Sequence, residues 1–290
     1  NLLPSEPVSL ELNDAELEVK CESYKTKVKG MSSEDFPLIA SVDAKQSIQM
    51  PVPDFKEALS QVIFSVAMDE TRPEISGVFF QLSKDGLTLA STDSFRLAEK
   101  ILPLKHELED ESFIVPYRTL QELNRILSDA GEEEPLTIRW TENQVSFEFD
   151  GIELISRLIE GQYPDYRQIV PTNFKTEFVV DAKELVQLVK SASLFCRAGI
   201  NDVHFIANAD SSTLEIKAAN SQLGENKGSI GAEITGDTNE IVFNYRYILD
   251  GLANMKEKKV RLKLIDKHNP GLFLPEGQTG YTYIIMPIKS

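Results

Sequence analysis

The strongest constraint on the fold is an internal repeat. A spacing of 127 residues recurs three times and pairs Asp54 with Asp181, Leu87 with Leu214, and Ile114 with Ile241. The first pair opens a helical pattern, the second opens a strand pattern, and the third opens an apolar run that leads into Tyr-Arg. Three unrelated features at one spacing indicate duplication of a whole domain.

The start of the chain belongs to the same series, at a spacing of 128 residues. Six apolar residues with strand periodicity, Val8, Leu10, Leu12, Leu17, Val19 and Cys21, match Leu136, Ile138, Trp140, Val145, Phe147 and Phe149. The chain therefore contains part of a first copy and two further copies. At this spacing the first copy would open about 75 residues before Asn1, and we expect that front part to be missing.

Strand patterns outnumber helical patterns in each copy. Amphipathic helices are predicted at 54–69 and 117–129, and a capping box of Asp54 with Glu57 opens the first helix, as Asp181 does in the next copy. Strands are predicted at 7–12, 17–21, 75–82, 87–92, 96–103, 135–140, 144–149 and 152–159. We expect an α+β fold of tandem repeated domains, each with mostly antiparallel sheets and two helices on one face.

The repeat predicts three domains. Residues 1–45 form the C-terminal remnant of the first, residues 46–171 the second, and residues 172–290 the third. Residues 30–53, with several prolines, have the composition of a connector. The later connector, 160–171, is unusually apolar, and its tyrosines are costly to leave in water, so we expect it to be packed.

Charge and cysteine usage exclude several classes of protein. The chain has 46 acidic and 30 basic residues, a net charge of −16, which argues against a generally basic nucleic-acid binder. Cys21 and Cys196 lack metal or redox spacing, so a reducing cytoplasm is expected. No apolar run approaches the roughly 18 residues of a membrane span.

Catalytic motifs are sparse. His106, His204 and His268 have no convincing partners in the sequence, and Asp93 fits a turn better than a metal site. Phosphate loops and nucleophile elbows are missing from the sequence. We expect no catalytic residues, no metal and no cofactor.

The outward faces of the helices carry basic residues in rough balance with acids. The bases are Lys56, Arg118, Arg125, Lys183, Lys190, Arg246 and Lys256. A mixed, solvated face is the commoner explanation for such helices. The bases would indicate a binding surface only if all the helices face one common space.

Four motifs resemble the bacterial DNA polymerase III β subunit family, the sliding clamps. They are 161–167 (Gly-Gln-Tyr-Pro-Asp-Tyr-Arg), 91–97 (Ser-Thr-Asp-Ser-Phe-Arg-Leu), 243–247 (Phe-Asn-Tyr-Arg-Tyr) and 283–288 (Tyr-Ile-Ile-Met-Pro-Ile). The resemblance implies a non-enzymatic head-to-tail homodimeric ring, associated with the nucleoid, that encircles double-stranded DNA without reading its sequence. The seven bases above would then face DNA phosphates.

The resemblance also implies a groove between the second and third domains that binds linear peptides of the polymerase III α subunit and the clamp loader. Its wall would comprise Ile75, Thr92, Ser94, Phe95, Arg96, Leu97, Pro164, Ile169, Asn244, Tyr247, Ile284, Met286, Pro287 and Ile288, with Arg96 and Asn244 as polar anchors. Val28 on one subunit, with Leu194 and Phe195 on the other, would form the dimer interface.

Two positions depart from the family pattern. Ser94-Phe95 stands where a Gly-His pair is common, and Gln168 stands where Arg is frequent. Two alternatives remain open. One is a peptide-binding hub that does not encircle DNA. The other is an unrelated α+β hydrolase, which would need a clustered acid–base pair.

Overall fold

The computed structural model describes residues 6–32, 34, 36, 42, 44, 46–69, 71–104, 109–128 and 135–289. It divides into two units, Asn1–Ser41 and Val42–Ser290, which are described separately. The described ranges hold 20 β-strands and four α-helices. No helix in them is long and apolar enough to cross a membrane. His106 lies outside these ranges.

The first unit contains one antiparallel sheet of three strands in sequence order. These are β1 (Ser9–Asn13), β2 (Glu16–Cys21) and β3 (Tyr24–Lys29). The sequence predicted the first two strands and missed β3, where lysines alternate with other residues. All six residues of β3 are exposed, and β3 is a free edge of its sheet.

The second unit contains the two complete copies, and each copy contributes two helices. In the second copy the strands are β4 (Gln46–Pro51), β5 (Gly77–Ser83), β6 (Gly86–Thr92), β7 (Arg96–Leu102), β8 (Glu111–Pro116), β9 (Pro135–Trp140), β10 (Gln144–Phe149) and β11 (Ile152–Arg157), and the helices are α1 (Val52–Ile63) and α2 (Tyr117–Leu127).

The third copy repeats this order with one additional strand, β16. Its strands are β12 (Thr176–Asp181), β13 (Asp202–Asn208), β14 (Thr213–Asn220), β15 (Gly224–Gly231), β16 (Glu233–Gly236), β17 (Asn239–Asn244), β18 (Lys259–Leu264), β19 (Gly271–Pro275) and β20 (Tyr281–Ile285), and its helices are α3 (Ala182–Ser193) and α4 (Tyr245–Ala253). β14 begins 127 residues after β6, at Thr213 against Gly86, which is the predicted spacing.

One sheet of nine strands runs through both copies, in the order β16-β12-β18-β19-β20-β7-β6-β5-β8. The copies join where β20 pairs with β7 in antiparallel register, from Tyr281 opposite Lys100 to Ile285 opposite Arg96. Each copy also has a four-stranded sheet, β11-β10-β9-β4 in the second and β15-β14-β13-β17 in the third. The antiparallel α+β prediction is confirmed.

The four helices pack against the sheets of their copies and against one another. α1 packs on β6 and β7, and α4 packs on β20. Phe64, directly after α1, and Tyr247 of α4 both contact the guanidinium of Arg96, so α1 and α4 are neighbours at the join. Because α2 packs on α1 and α3 packs on α4, the helices form a row in the order α2-α1-α4-α3.

The connector 160–171 packs on the face of the nine-stranded sheet opposite to α1, because it contacts Phe79 while α1 contacts Phe80, the next residue of β5. Tyr163 stacks on Phe79 with ring centroids 4.8 Å apart, and the hydroxyl of Tyr166 donates a hydrogen bond to Glu99. Tyr163 and Tyr166 are 7% and 4% exposed, inside an apolar cluster that also contains Leu97 and residues from both copies. The prediction of a packed connector is confirmed.

Two local predictions are wrong. The segment predicted as connector 30–53 contains β4, which pairs with β9 and runs directly into α1. Asp54 does not cap α1, because the helix begins at Val52, with Pro51 at its cap position and Pro53 in the first turn, where a missing N–H costs nothing. By contrast, Asp181 does cap α3, accepting bonds from two backbone N–H groups.

Helix α1 also ends earlier than the predicted residue 69. It ends at Ile63, and the backbone N–H of Ala67 bonds the carbonyl of Ile75 at 3.2 Å instead of continuing the helix. α2 ends at Leu127, two residues before the predicted end. The apolar residues after Ile63, which led us to predict a longer α1, therefore belong to the turn that follows the helix.

We predict that Gly251→Ala destabilises the second unit by about 1–3 kcal/mol, because an added methyl group overpacks the core. A Cβ at this position of α4 would lie 2.2 Å from Cε1 of the buried Tyr283. Urea unfolding measures the change. Gly231→Ala is the matched control, since a Cβ there meets nothing within 4 Å. An equal effect of the two substitutions would contradict this account of the join.

Candidate functional site

The turn between β6 and β7 is held by side chains of its own residues. Asp93 Oδ1 accepts hydrogen bonds from the backbone N–H groups of Phe95 and Arg96, both at 3.0 Å. Thr92 Oγ1 accepts a bond from Ser94 N at 3.1 Å and donates to the carbonyl of Arg96 at 2.6 Å. Asp93 is thus a turn residue, as predicted.

Ser94 adopts a backbone conformation that favours glycine. Its φ is +75°, in the left-handed region, which costs a residue with a side chain roughly 1–3 kcal/mol. Ser94 Oγ accepts a bond from Arg72 Nη1 at 2.9 Å. Glycine adopts this conformation without strain, and in its place the surrounding bonds keep Ser94 there.

Arg96 leaves this turn and joins the two copies. It donates from Nε to Asp93 Oδ2 at 3.0 Å and from Nη1 to Asp250 Oδ2 at 2.5 Å. Its guanidinium lies 5.5 Å from the ring centroid of Phe64 and 4.6 Å from that of Tyr247. Because these two donors serve internal partners, Arg96 acts on the site mainly by positioning the turn and α4.

The segment after β20 bonds to both copies. Met286 N donates to the carbonyl of Phe95 at 2.8 Å, and Ile288 N donates to the carbonyl of Val242 at 2.8 Å. Phe95 belongs to the β6–β7 turn of the second copy, and Val242 lies in β17 of the third. The segment is thereby fixed across the join, with its side chains half-buried.

A cavity of about 450 Å³ lies where the turn, the start of α4 and this segment meet. Its lining residues are Ser94, Phe95, Ile200, Asn244, Tyr247, Met286, Pro287, Ile288 and Lys289. Mostly apolar walls with a few polar groups are typical of ligand pockets. A methionine in such a wall adapts to different side chains, because its thioether is flexible and polarisable.

The polar groups of the cavity have defined states. Asn244 Oδ1 caps α4 by accepting a bond from Arg246 N at 3.0 Å, so its amide NH₂ is the group that can donate to a ligand. Burial, together with the negative charge of Asp93, raises the pKa of Tyr247, which keeps its hydroxyl neutral. Lys289 supplies the charge among the lining residues.

The structure brings seven of the fourteen predicted groove residues to this cavity, and sets the other seven elsewhere. Ile75, Leu97 and Ile284 are at most 3% exposed, in the apolar cluster beneath the connector. Thr92 and Arg96 hold the turn. Pro164 and Ile169 lie on the connector, where Ile169 is exposed and Pro164 half-buried, and neither lines the cavity.

Sequence reasoning missed two lining residues, Ile200 and Lys289. Ile200 lies in the loop after α3 and is 41% exposed. Its neighbours Gly199 and Asn201 both have positive φ. The sequence signal that could have identified Ile200 was an isoleucine placed alone between two residues that favour turns.

The seven bases predicted to face DNA lie on the four helices or directly after α4. Lys56 is half-buried and the other six are exposed. Lys56 and Lys256 line one cleft of about 460 Å³ with Ser60, Asn124 and other residues of α1 and α2. Lys256 also pairs with Glu57 at 2.7 Å. That all seven bases face one common space stays a prediction.

The predicted dimer-interface residues differ in exposure. Val28, on β3, is 50% exposed, and Leu194, at the end of α3, is 71% exposed. Phe195 is half-buried against the core. Leu223, just before β15, is 63% exposed and was not predicted.

The described residues contain no group of three or more His, Cys, Asp or Glu that could hold a metal ion. His204 Nδ1 lies 3.4 Å from Glu240 Oε1, a partner that the sequence did not reveal. Cys196 is buried, and burial raises the pKa of its thiol to about 11, so it is a poor nucleophile.

The second and third copies match two family profiles. The DNA polymerase III beta subunit, central domain, matches residues 49–165, and the C-terminal domain of the same subunit matches residues 167–289. The beta sliding clamp of Staphylococcus aureus (strain Mu50) is 30% identical over 290 residues, which cover 99% of this chain and 76% of that protein. The beta sliding clamp of Synechocystis sp. is 29% identical over 283 residues, covering 93% and 72%.

Solved structures agree with these relatives. The DNA polymerase sliding clamp of Bacillus subtilis superposes with a TM-score of 0.93 at 28% identity, covering 100% of this chain and 76% of that one. The DNA polymerase III beta subunit of Thermotoga maritima gives 0.89 at 27% identity, covering 100% and 78%. Tandem copies that share a sheet beneath a row of helices thus define the class of DNA clamps. The chain belongs to the DNA polymerase III beta subunit family, the beta sliding clamps.

We predict that Arg96→Lys destabilises the second unit by about 2–3 kcal/mol, because a lysine cannot reproduce the forked ion pairs and the ring contacts. Arg139→Lys is the matched control. Its pair with Glu148 is largely exposed, so its loss should cost less than about 1 kcal/mol. Urea unfolding of both variants measures the difference. If the control loses as much stability as Arg96→Lys, Arg96 is not a link between the copies.

Proposed function

We propose that this protein is a processivity clamp. Two copies associate head to tail, close into a ring around duplex DNA and tether the replicative polymerase by a peptide docked in the cavity at the β7–β20 join. The clamp loader docks by the same kind of peptide. The role needs no bond-making chemistry, and such a clamp works at the nucleoid in the bacterial cytoplasm.

The observation that carries the proposal is that β15 and β3, which stand in the repeat where β7 and β20 do, are both edge strands of their sheets. β15 follows β14 as β7 follows β6, but β7 pairs with β20 while β15 is the free edge of its sheet. β3 ends a three-stranded meander as β20 ends the meander β18-β19-β20, and β3 is also a free edge. Exposed edges pair readily with other strands. Pairing β3 of one subunit with β15 of another would repeat the β7–β20 join between subunits.

The repeat gives this intersubunit join a register. Ile285, the fifth residue of β20, stands opposite Arg96 of β7. The fifth residue of β3 is Val28, and the residue 127 positions after Arg96 is Leu223. Val28 of one subunit would therefore lie opposite Leu223 of the other, with the exposed Leu194 beside them. This agrees with the dimer residues expected from the sequence and adds Leu223.

The helix faces support binding to DNA by charge alone. On a protein with a net charge of −16, the four helices and the segment after α4 carry seven bases, some of them paired with nearby acids. Such a surface can contact phosphates without reading bases. Few contacts suit sliding, because each neutralised phosphate adds affinity and salt dependence. Closure of the ring, rather than affinity, would keep the clamp on DNA.

We predict that Val28→Glu and Leu223→Lys each weaken self-association by at least about 10-fold, since a charge would be buried in the new join. In one chain the two substitutions should restore much of the association, because Glu of one subunit would meet Lys of the next. Sedimentation equilibrium measures the dimer constant. Met68→Lys is the control, at an exposed position that belongs to neither strand. Without recovery in the double variant, this register is wrong.

We predict that the clamp, loaded by its clamp loader and ATP, stays on a circular plasmid in gel filtration and is released when a restriction enzyme linearises the plasmid. A ring slides off DNA ends, whereas a protein held by affinity does not. Equal retention on both forms would refute encirclement. A polymerase peptide that binds to a protein never retained on circular DNA would favour the alternative, a hub that does not encircle DNA.

A further inference from the structure

A second cavity in the second copy carries only acidic charge. Its volume is about 650 Å³, and it shares no lining residue with the cavity at the β7–β20 join or with the cleft of α1 and α2. Asp110, Glu111 and Glu142 line it, and none of its described lining residues is basic. Phe113 and Trp140 contribute apolar surface. We call it the acidic cavity.

The acidic cavity lies where strands of two sheets begin or end. β8 of the nine-stranded sheet begins at Glu111, and β4 of the four-stranded sheet begins at Gln46, opposite Trp140 at the end of β9. At their other ends β4 runs into α1 and β8 runs into α2. Because a strand of six residues spans roughly 17 Å, the cavity lies about that far from the start of these helices. It is therefore separate from the helix faces that we expect to contact DNA.

The wall of the cavity is firmly held. Trp140 is 4% exposed, and its Nε1–H donates to Glu111 Oε2 at 2.5 Å. Its ring packs on Phe113 with centroids 5.5 Å apart, and Phe113 stacks on Phe80 at 5.3 Å. An indole N–H is a neutral donor, so it fixes the position of the carboxylate without neutralising its charge. The remaining lone pairs of Glu111 can accept bonds from a ligand.

The three carboxylates have no internal counter-charge. Among the described residues, no Lys, Arg or His forms an ion pair with any of them, whereas in the same copy Glu122 pairs with Arg125 and Glu148 with Arg139. A cleft that is lined by charges of one sign and by apolar walls concentrates the electrostatic field inside it. This field attracts cations and repels phosphate, so the cavity is suited to a cationic ligand and not to nucleic acid.

The third copy fills the equivalent place in another way. β12 begins at Thr176 and β17 begins at Asn239, and both strands have six residues and run into a helix, as β4 and β8 do. Asn239 Nδ2 donates to Thr176 Oγ1 and to the carbonyl of Ile265, both at 3.1 Å. A neutral amide at the start of this strand thus joins it to its neighbours. The fold itself does not require an acid at Glu111.

We propose that the acidic cavity binds an arginine side chain from a basic segment of a partner protein. The aliphatic part of the arginine packs on Trp140 and Leu158, and the guanidinium bonds to Glu111, with Asp110 and Glu142 adding attraction at the exposed mouth. A guanidinium suits the cavity better than an ammonium, because it is planar, weakly hydrated and matched to carboxylates. Charge complementarity favours this occupant. The site is independent of ring closure and of the docking cavity.

The chain carries its own reporter for the test. Trp140 is the single tryptophan of the sequence, so tryptophan emission reports on the acidic cavity. The full chain is titrated with acetyl-Gly-Arg-Gly-amide at constant ionic strength, and with the same tripeptide carrying citrulline, which has the shape of arginine without its charge. The arginine peptide should give a saturable change. The citrulline peptide should bind at least about 10-fold more weakly, and the lysine peptide about threefold more weakly.

Two variants locate the binding charge. Glu111→Gln keeps an oxygen that accepts from the indole of Trp140, so the melting temperature should stay unchanged while affinity for the arginine peptide falls at least about 10-fold. Glu153→Gln is the matched control, because it removes the same charge at an exposed position of β11 outside the cavity, and affinity should change less than twofold. Glu142→Gln, at the exposed mouth, should weaken binding about threefold. It keeps the test valid if Glu111→Gln does not fold.

Each outcome decides the proposal. No saturable change with the arginine peptide up to roughly 20 mM would refute the site. Equal binding of the citrulline peptide would show that charge is not recognised, and equal binding of the lysine peptide would overturn the assignment of a guanidinium. If Glu153→Gln loses as much affinity as Glu111→Gln, the overall charge of the protein attracts the peptide and the cavity does not. A preference for arginine over citrulline that Glu111→Gln removes supports the proposal.

Discussion

The pairing of β20 with β7 is the interaction on which the rest of the second unit depends. It merges two copies into one nine-stranded sheet, and it sets α1 and α4 side by side so that four helices form a single row. The strand ends there bring Phe95 and Met286 together and create the cavity. A one-residue slip in this register would turn Tyr283 away from Gly251 and the helices, so register and function are fixed together.

Polar groups reinforce that pairing at both ends. Arg96 links Asp93 with Asp250 at one end. At the other, Lys100 is 8% exposed and donates to the carbonyl of Thr279 at 3.3 Å, and burial lowers its pKa. Buried ionic contacts add little net stability but are costly to break singly, so they favour one arrangement over its alternatives. The join is therefore specified by geometry as well as by hydrophobic burial.

The two complete copies share a fold, but equivalent strands in them pair differently. β7 is paired within the chain, while β15 is left open, and the turns before these strands carry Phe95 in one copy and Gln222 in the other. Duplication thus provides equivalent positions that can take separate roles. The join carries the cavity that we propose docks a partner, and β3 and β15 are the edge strands that we propose pair between subunits. Neither role alters the buried residues that define the domain.

The sequence by itself determined the repeat, the antiparallel α+β class, the packed connector and the cap at Asp181, because periodicity and local hydrogen bonding are written in neighbouring residues. The predicted cap at Asp54 was wrong, because β4 runs directly into α1 and Pro51 occupies the cap position. Strand β3 was missed, because its alternating lysines obscure the apolar pattern of a strand. Only the tertiary structure decided that Ile200 and Lys289 line the cavity while Ile284 is buried behind it. Those positions follow from pairing between strands about 180 residues apart, which no local pattern encodes.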